Sequence, residues 1–222
     1  MIKYLAATVF ALVCTLAASA EFSIIRSYVH PVLVGKDTSV TGVKNILSSG
    51  SGIAVAPGYV LTAAHVVPQT TGTTLYLKTD TLHTAKVVKI DRERDLALLS
   101  TKVACPCTPI AKKMPGVDDE VYTVGFPLYL LYGTQVVTSG HVQGTYQGDT
   151  VSTTHTAPGG SGGGMYVKED GEYRLAGIAI AIASTPIGPR ALHLDQEQNW
   201  LMFSVPMPAI RDFLKGTPVT LK

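Results

Sequence analysis

The chain has 222 residues, 46% of them hydrophobic and 15% charged, with a formal net charge of +2. That length and balance fit a folded protein with a sizeable core, built as one two-lobed unit or two small domains. So small a net charge, with no basic run, excludes nucleic acid as an expected partner.

Residues 1–20 have the pattern of an export signal. Lys3 supplies a short positive start, Leu5 to Leu16 an apolar run, and Ala18-Ser19-Ala20 a small-x-small cleavage site before Glu21. The alternative is a membrane anchor, but the run is shorter than the roughly 20 residues a spanning helix needs. Cleavage after Ala20 is therefore expected, giving a secreted or periplasmic product with no stable membrane span. Ala11-Leu12-Val13 before Cys14 is a poor lipoprotein signal. Glu21 to about Val34 reads as a leading arm. From Gly42 to Thr101 short strands alternate with turns, among them Leu75-Tyr76-Leu77 and Lys86 to Ile90. Val103 to Gly116, rich in Pro, Cys and Lys, reads as a linker. It carries Cys105 and Cys107, and export favours a disulfide, local or intermolecular. A bridge across one residue is geometrically awkward. Free thiols come next, and a metal half-site last, because no second Cys pair completes it. A second set of strands runs from Glu120 to Pro206. Leu175 to Ile182 is almost continuously apolar, the mark of a buried strand. Ser184 to Asn199 reads as a long loop, and Met207 to Lys215 as a short amphipathic helix. The 21 glycines and 13 prolines agree with many turns and an all-β barrel protein.

Three segments carry chemistry. In Thr156 to Gly164 a single serine, Ser161, sits among glycines. A serine hydroxyl is a poor nucleophile until a base and an oxyanion site surround it. The N–H groups of Gly159 and Ser161 can converge on one developing charge. Read alone, the segment is equally a flexible turn. Upstream, Gly52 to Val67 reads as strand, Pro-Gly turn, strand, then His65 among small residues that leave room for a substrate. In Ile90 to Leu99 a charged turn runs into an apolar strand with Asp95 at the junction, placed to accept a hydrogen bond from an imidazole. Asp91 and Glu93 lie close by, but Asp95 directly precedes the strand. Taken singly, His65 also reads as a core histidine, Asp95 as a turn cap and Ser161 as a loop serine. The order His65, Asp95, Ser161 is that of the chymotrypsin-type triad and differs from the subtilisin and α/β-hydrolase orders.

These segments resemble trypsin-like serine proteases, most closely the HtrA/Deg protease domain. The blocks "GSG…GYVLTAAHVV", "DRERDLALL", "VYTVGFP" with "VVTSGHVQG", "APGGSGG" and "FSVPMPAIRDFL" occur in that family's order over roughly residues 35 to 215. The resemblance implies an all-β fold of two six-stranded antiparallel barrels, chymotrypsin-like, with a short C-terminal helix. It places the first barrel at about 35–102, the linker at about 103–117, the second barrel at about 118–206 and the helix at about 207–215, within a protease domain over 21–222. It implies His65, Asp95 and Ser161 as catalytic residues and Gly159 with Ser161 as the oxyanion hole. Protein or peptide substrates follow, with no metal or organic cofactor; an oligomer is possible, and no PDZ domain is expected after the helix. Gly160 stands where pancreatic-type enzymes carry an aspartate before the serine, which argues against their zymogen route. By the same resemblance His155, Thr156, Ile178, Ala179 and Ile180 line the primary specificity pocket. With no acid there, a basic P1 residue is disfavoured and a small or medium apolar one expected; His155 and Thr156 leave an acidic P1 residue as the minor reading. Two other functions stay open: a catalytically silent protease-like binding protein, and an acyl hydrolase, since Gly159 to Gly163 also fits G-x-S-x-G.

Overall fold

Pro57-Gly58 sets the first hairpin. Gly58 adopts φ +75°, a turn conformation that glycine takes without strain, and it joins β2 (Lys44–Ala56) to β3 (Tyr59–Ala63). The computed structural model describes residues 22–37, 44–69, 71–103, 105–182 and 201–221. The export segment and the 184–199 stretch lie outside the described residues. Ahead of β2 come α1 (Ser23–Ser27) and β1 (Val29–Asp37). After β3 a 3-10 turn (Ala64–Val66) leads to β4 (Thr74–Lys78), β5 (Leu82–Asp91) and β6 (Leu96–Thr101). These six strands close a barrel in the order β1-β2-β3-β6-β5-β4. The second half holds β7 (Glu120–Gly125), α2 (Tyr129–Tyr132), β8 (Val136–Tyr146), β9 (Asp149–Ser152), β10 (Gly164–Glu169), β11 (Glu172–Ile182), β12 (Met202–Pro206) and α3 (Met207–Phe213). Its strands close a second barrel, β10-β11-β12-β9-β8-β7. Neighbouring strands in both barrels pair antiparallel.

The leading arm is not an arm. Residues from Val29 onward form β1, with Val32 opposite Gly50 on one side and Leu77 on the other. Pro31 disguises the strand by removing a donor; it lies opposite Ser51, and pairing with β4 begins at Val32. The first barrel therefore begins at Val29, ahead of the position near 35 that the motifs suggested.

The two barrels share a core. Ile53, Leu61, Leu96 and Leu98 from the first pack in one buried cluster with Val124, Tyr166, Leu175, Ile178 and Val205 from the second. The opposite faces of the same strands fill the barrel interiors: Val60, Ala97 and Leu99 in the first, Met165 and Ala176 in the second. Buried on both faces, β6 and β11 read as continuous apolar runs in place of an alternating pattern. The linker is stitched to both halves. Thr108 N donates to Ala54 O over 2.9 Å, and Ala111 N to Leu175 O over 2.9 Å. Among the described residues no helix is long and apolar enough to cross a membrane.

Candidate active site

The antiparallel register of β3 with β6 creates the first half of the site. Ala63 lies opposite Leu96, so the residues just past the end of β3 face the residue just before β6. Ala64 N donates to Asp95 O over 3.0 Å. The Asp95 carboxylate then grips His65 twice: Oδ1 accepts the His65 backbone N–H over 2.8 Å, and Oδ2 lies 2.7 Å from Nδ1. Asp95 adopts φ +54°, a left-handed conformation that aspartate tolerates better than most residues. Arg92 secures the facing turn by donating to Ala64 O and Val67 O at 3.0 and 3.3 Å. The hydrogen bond from Asp95 raises the His65 pKa above its ordinary 6.5, more than partial burial lowers it. With Nδ1 carrying the proton toward Asp95, Nε2 keeps its lone pair free.

The serine loop comes from the second barrel and is bound to the first. Ser51 N donates to Ser161 O over 2.8 Å, and Ser51 Oγ to Gly159 O over 2.8 Å. On its own barrel Gly162 N donates to Ala179 O at 2.7 Å, and Ala179 N to Gly163 O at 2.8 Å. Gly162 has φ +85°, and a Cβ there would collide with Ser51 O and Thr62 Oγ1 and lie 3.0 Å from Ala63 N. Only glycine lets the residue after Ser161 approach the strand that ends two residues before His65. The Ser161 hydroxyl itself points to Ile180 O, 3.4 Å away.

Leu128 N donates to Pro158 O over 2.7 Å. In a trans peptide the N–H points opposite the carbonyl, so this bond directs the Gly159 N–H away from Leu128. Among the described residues neither Gly159 N nor Ser161 N has an acceptor. Gly159 itself takes φ +95°.

The residues expected to line the specificity pocket separate into two groups. His155 is exposed, and its carbonyl accepts from Thr138 Oγ1 over 2.8 Å. Thr156 is half-buried beneath Gly160, where its Oγ1 occupies the space a Cβ would need. Ile180 is half-buried and packs against both core clusters. Ile178 and Ala179, by contrast, are 0% and 1% exposed. Ile178 belongs to the shared core, and the Ala179 backbone is consumed by the serine loop. Both side chains are buried, unlike those of His155, Thr156 and Ile180.

Cys105 and Cys107 are both free thiols, and Cys107 Sγ lies 3.8 Å from Cys105 O. The expected local bridge is not formed, because Pro106 fixes its own φ and biases Cys105 toward extended geometry, which works against the close Cα approach a bridge requires. Among the described residues no group of three or more His, Cys, Asp or Glu is arranged to hold a metal.

Three participants escaped the sequence. Ser51 is fully buried between the barrels and also accepts from Phe126 N at 2.9 Å. Thr62 Oγ1 donates to Ser51 O over 2.6 Å. Asp149, on β9, has its pKa raised first by burial and then by the charge of Asp95. Only the Gly-Ser-Gly setting of Ser51 is a signal, and it does not reveal where the hydroxyl bonds.

Two closed antiparallel barrels with a serine, a histidine and an aspartate at their junction define a class, and the chain belongs to it. The trypsin-like peptidase domain profile matches residues 50–178, more than half of the chain, and places the chain in that family. The chain is similar to serine protease HTRA1B of Danio rerio, 32% identical over 167 residues that make up 64% of this chain and 34% of that protein. It thus spans about a third of that relative's length. The fold is similar to the crystal structure of the serine endoprotease from Yersinia pestis, with a TM-score of 0.66 and 22% identity over 86% of this chain and 63% of that one.

Proposed function

We propose that this chain is an exported serine endopeptidase that acts through His65, Asp95 and Ser161. One observation carries the reading: the Asp95 carboxylate holds His65 at both its backbone N–H and Nδ1, and the Ser161 loop is packed against the end of the same strand. The mechanism requires the Ser161 hydroxyl, which points to Ile180 O here, to turn to His65 Nε2. In the first step Nε2 takes the hydroxyl proton as Oγ bonds to the peptide carbonyl carbon. The carbonyl oxygen becomes an oxyanion and is met by the N–H groups of Gly159 and Ser161, each worth roughly 3 kcal/mol in such sites. As the intermediate collapses, the C–N bond breaks and His65 returns the proton to the leaving amine. Water then repeats the cycle on the acyl-enzyme and releases the acid. Asp95 keeps the imidazole in the reactive tautomer and stabilises its charged form.

Substrates are proteins or peptides with a small or medium apolar P1 residue, met by Ile180 beside Thr156 and His155. Export follows from the pattern of residues 1–20, and mass spectrometry of the secreted protein should find Glu21 at its N-terminus.

The deciding experiment is labelling of the mature chain with a fluorophosphonate probe, beside a Ser161→Ala control. Labelling lost in the control is the expected result. Absence of labelling in a folded, monodisperse sample would sink the reading and leave a catalytically silent binding protein. Cleavage of casein without turnover of a short-chain ester separates the endopeptidase from an acyl hydrolase.

A further inference from the structure

A groove of about 370 Å³ runs beside the serine loop, bounded by α1, β1, the end of β4 and the segment after β7. Arg26, His30, Lys78, Phe126, Tyr129 and Gln135 are among the residues lining it. Among the described residues no carboxylate does. Two other cavities differ in this respect: one is lined by Asp119, Glu120 and Glu169 together with lysines, the other by Glu172. Burial lowers the His30 pKa, so the positive charge of the groove comes from Arg26 and Lys78. Neither forms an ion pair with a described residue.

Both cations are already held in place. Arg26 Nη1 donates to Gln135 O over 3.0 Å, while Gln135 Nε2 donates back to Arg26 O and to Val29 O at 3.0 and 3.1 Å. Lys78 Nζ donates to Thr79 O and Asp80 O at 2.7 and 2.6 Å. A guanidinium has five N–H donors and an ammonium three, so each keeps donors for a ligand. Phe126 and Tyr129 form an edge-to-face pair with ring centroids 5.6 Å apart, which gives the groove a preformed apolar wall.

The topology says which part of a substrate passes here. Gly164, at the start of β10, pairs with Ile178 of β11 on one side and Val124 of β7 on the other. The serine loop therefore lies between the end of β11 and the segment that follows β7. With Ile180 taken, as under the proposed function, to meet the P1 side chain, the leaving-group half of a peptide exits on the other side of the serine loop, over Phe126. Phe126 and Gly159 share the Ser51 hydroxyl, which puts the near end of the groove within a few residues of the scissile bond at the ~3.3 Å per residue of an extended chain.

We propose that this groove is a subsite for an acidic residue on the leaving-group side of the peptide, paired with Arg26 and Lys78. The inference rests on the endopeptidase reading, and its test does not depend on turnover. Isotope-labelled Ser161→Ala protein is titrated, with NMR detection, against peptides carrying Glu, Ala or Lys at successive positions after the scissile bond. Glu at one position should bind about five- to tenfold more tightly than Lys, the scale of two partly exposed ion pairs, and should shift the Phe126 and Gln135 amides. The preference should vanish in the Arg26→Gln, Lys78→Gln double variant and weaken at high salt. Equal binding of Glu and Lys peptides, binding that leaves those amides unmoved, or no binding at millimolar peptide overturns the proposal. Fluorophosphonate labelling reports separately on the active site. A labelled enzyme with no charge preference refutes the groove alone, and a Glu-selective groove on an unlabelled protein refutes the endopeptidase alone.

Discussion

Ser51 of the first barrel fastens Gly159 of the second: its Oγ donates to the Gly159 carbonyl over 2.8 Å while accepting from Phe126 N over 2.9 Å. The same residue's N–H holds Ser161 O at 2.8 Å. One small polar residue thus fixes two points of the serine loop and the backbone behind it. Removing the hydroxyl in Ser51→Ala leaves a part-buried carbonyl and N–H without partners, at a cost of about 1–3 kcal/mol. Urea unfolding should read that loss. Activity should fall at least about tenfold in kcat with little change in KM, because a displaced oxyanion donor weakens the transition state more than the ground state. An unchanged kcat would detach Ser51 from the site.

The pH dependence follows from His65. Its pKa is raised above 6.5, chiefly by the hydrogen bond from Asp95, and the base must be neutral to accept a proton. The rate kcat/KM should therefore climb with pH through an apparent pKa higher than 6.5. For stability the sign is reversed. The extra stabilisation from the Asp95 contact with charged His65 is fully present below the unfolded-state value and is lost as pH rises through the folded one. Asp95→Asn keeps a residue that tolerates positive φ, removes the charge, and lets the imidazole adopt the wrong tautomer. A loss of about 10⁴ in kcat is expected, with the His65 pKa moved downward in an NMR titration. A full-rate Asp95→Asn enzyme would break the proposed triad.

Gly162 and Gly148 separate steric need from conformational need. Both have positive φ, +85° and +93°, but a Cβ on Gly162 meets Ser51 O, Thr62 Oγ1 and Ala63 N, whereas one on Gly148 meets nothing within 4 Å. Gly148→Ala should cost only about 1 kcal/mol of backbone strain. Gly162→Ala must also push the barrels apart and should cost more than about 3 kcal/mol. Thermal melts of the two variants, side by side, test this; equal melting temperatures would count against the interlocked loop.

The thiols should behave as two separate groups. Burial, helped by the neighbouring Cys107, raises the Cys105 pKa, while Cys107 is exposed. A thiol reagent applied to the folded, unreduced protein should modify two cysteines of the mature chain, Cys107 first. The Cys105→Ser, Cys107→Ser double variant should keep its activity and melting temperature. Recovery of a 105–107 disulfide peptide would refute this.

Much was legible in the order of residues. The Pro-Gly hairpin, the charged turn before Leu96 and the glycine-dense segment around Ser161 are local signals, because turn geometry depends on residues adjacent in sequence. They single out His65, Asp95 and Ser161 as candidates on separate turns, and the double-sided apolar runs of β6 and β11 announced buried strands. The resemblance of the ordered blocks supplied the barrels. Val29 to Val34 was harder to place, since Pro31 hides the period of a strand whose partners lie at Gly50 and Leu77.

What the tertiary structure alone decided is which atoms meet. The linear order names His65 and Asp95, but the Ala63 to Leu96 register makes the carboxylate reach the backbone N and Nδ1 of one residue. Nothing in the segment before Gly52 marks Ser51 as the clasp of a loop more than a hundred positions away, because a long-range hydrogen bond leaves no local pattern. That Ile178 and Ala179 are buried while Ile180 is only half-buried is likewise set by what lies across the strand. Arg26 and Lys78 become neighbours of one groove only when β1 and β4 close the barrel. Sequence order specifies the chemical groups and their turns, and barrel closure specifies the distances on which their chemistry depends.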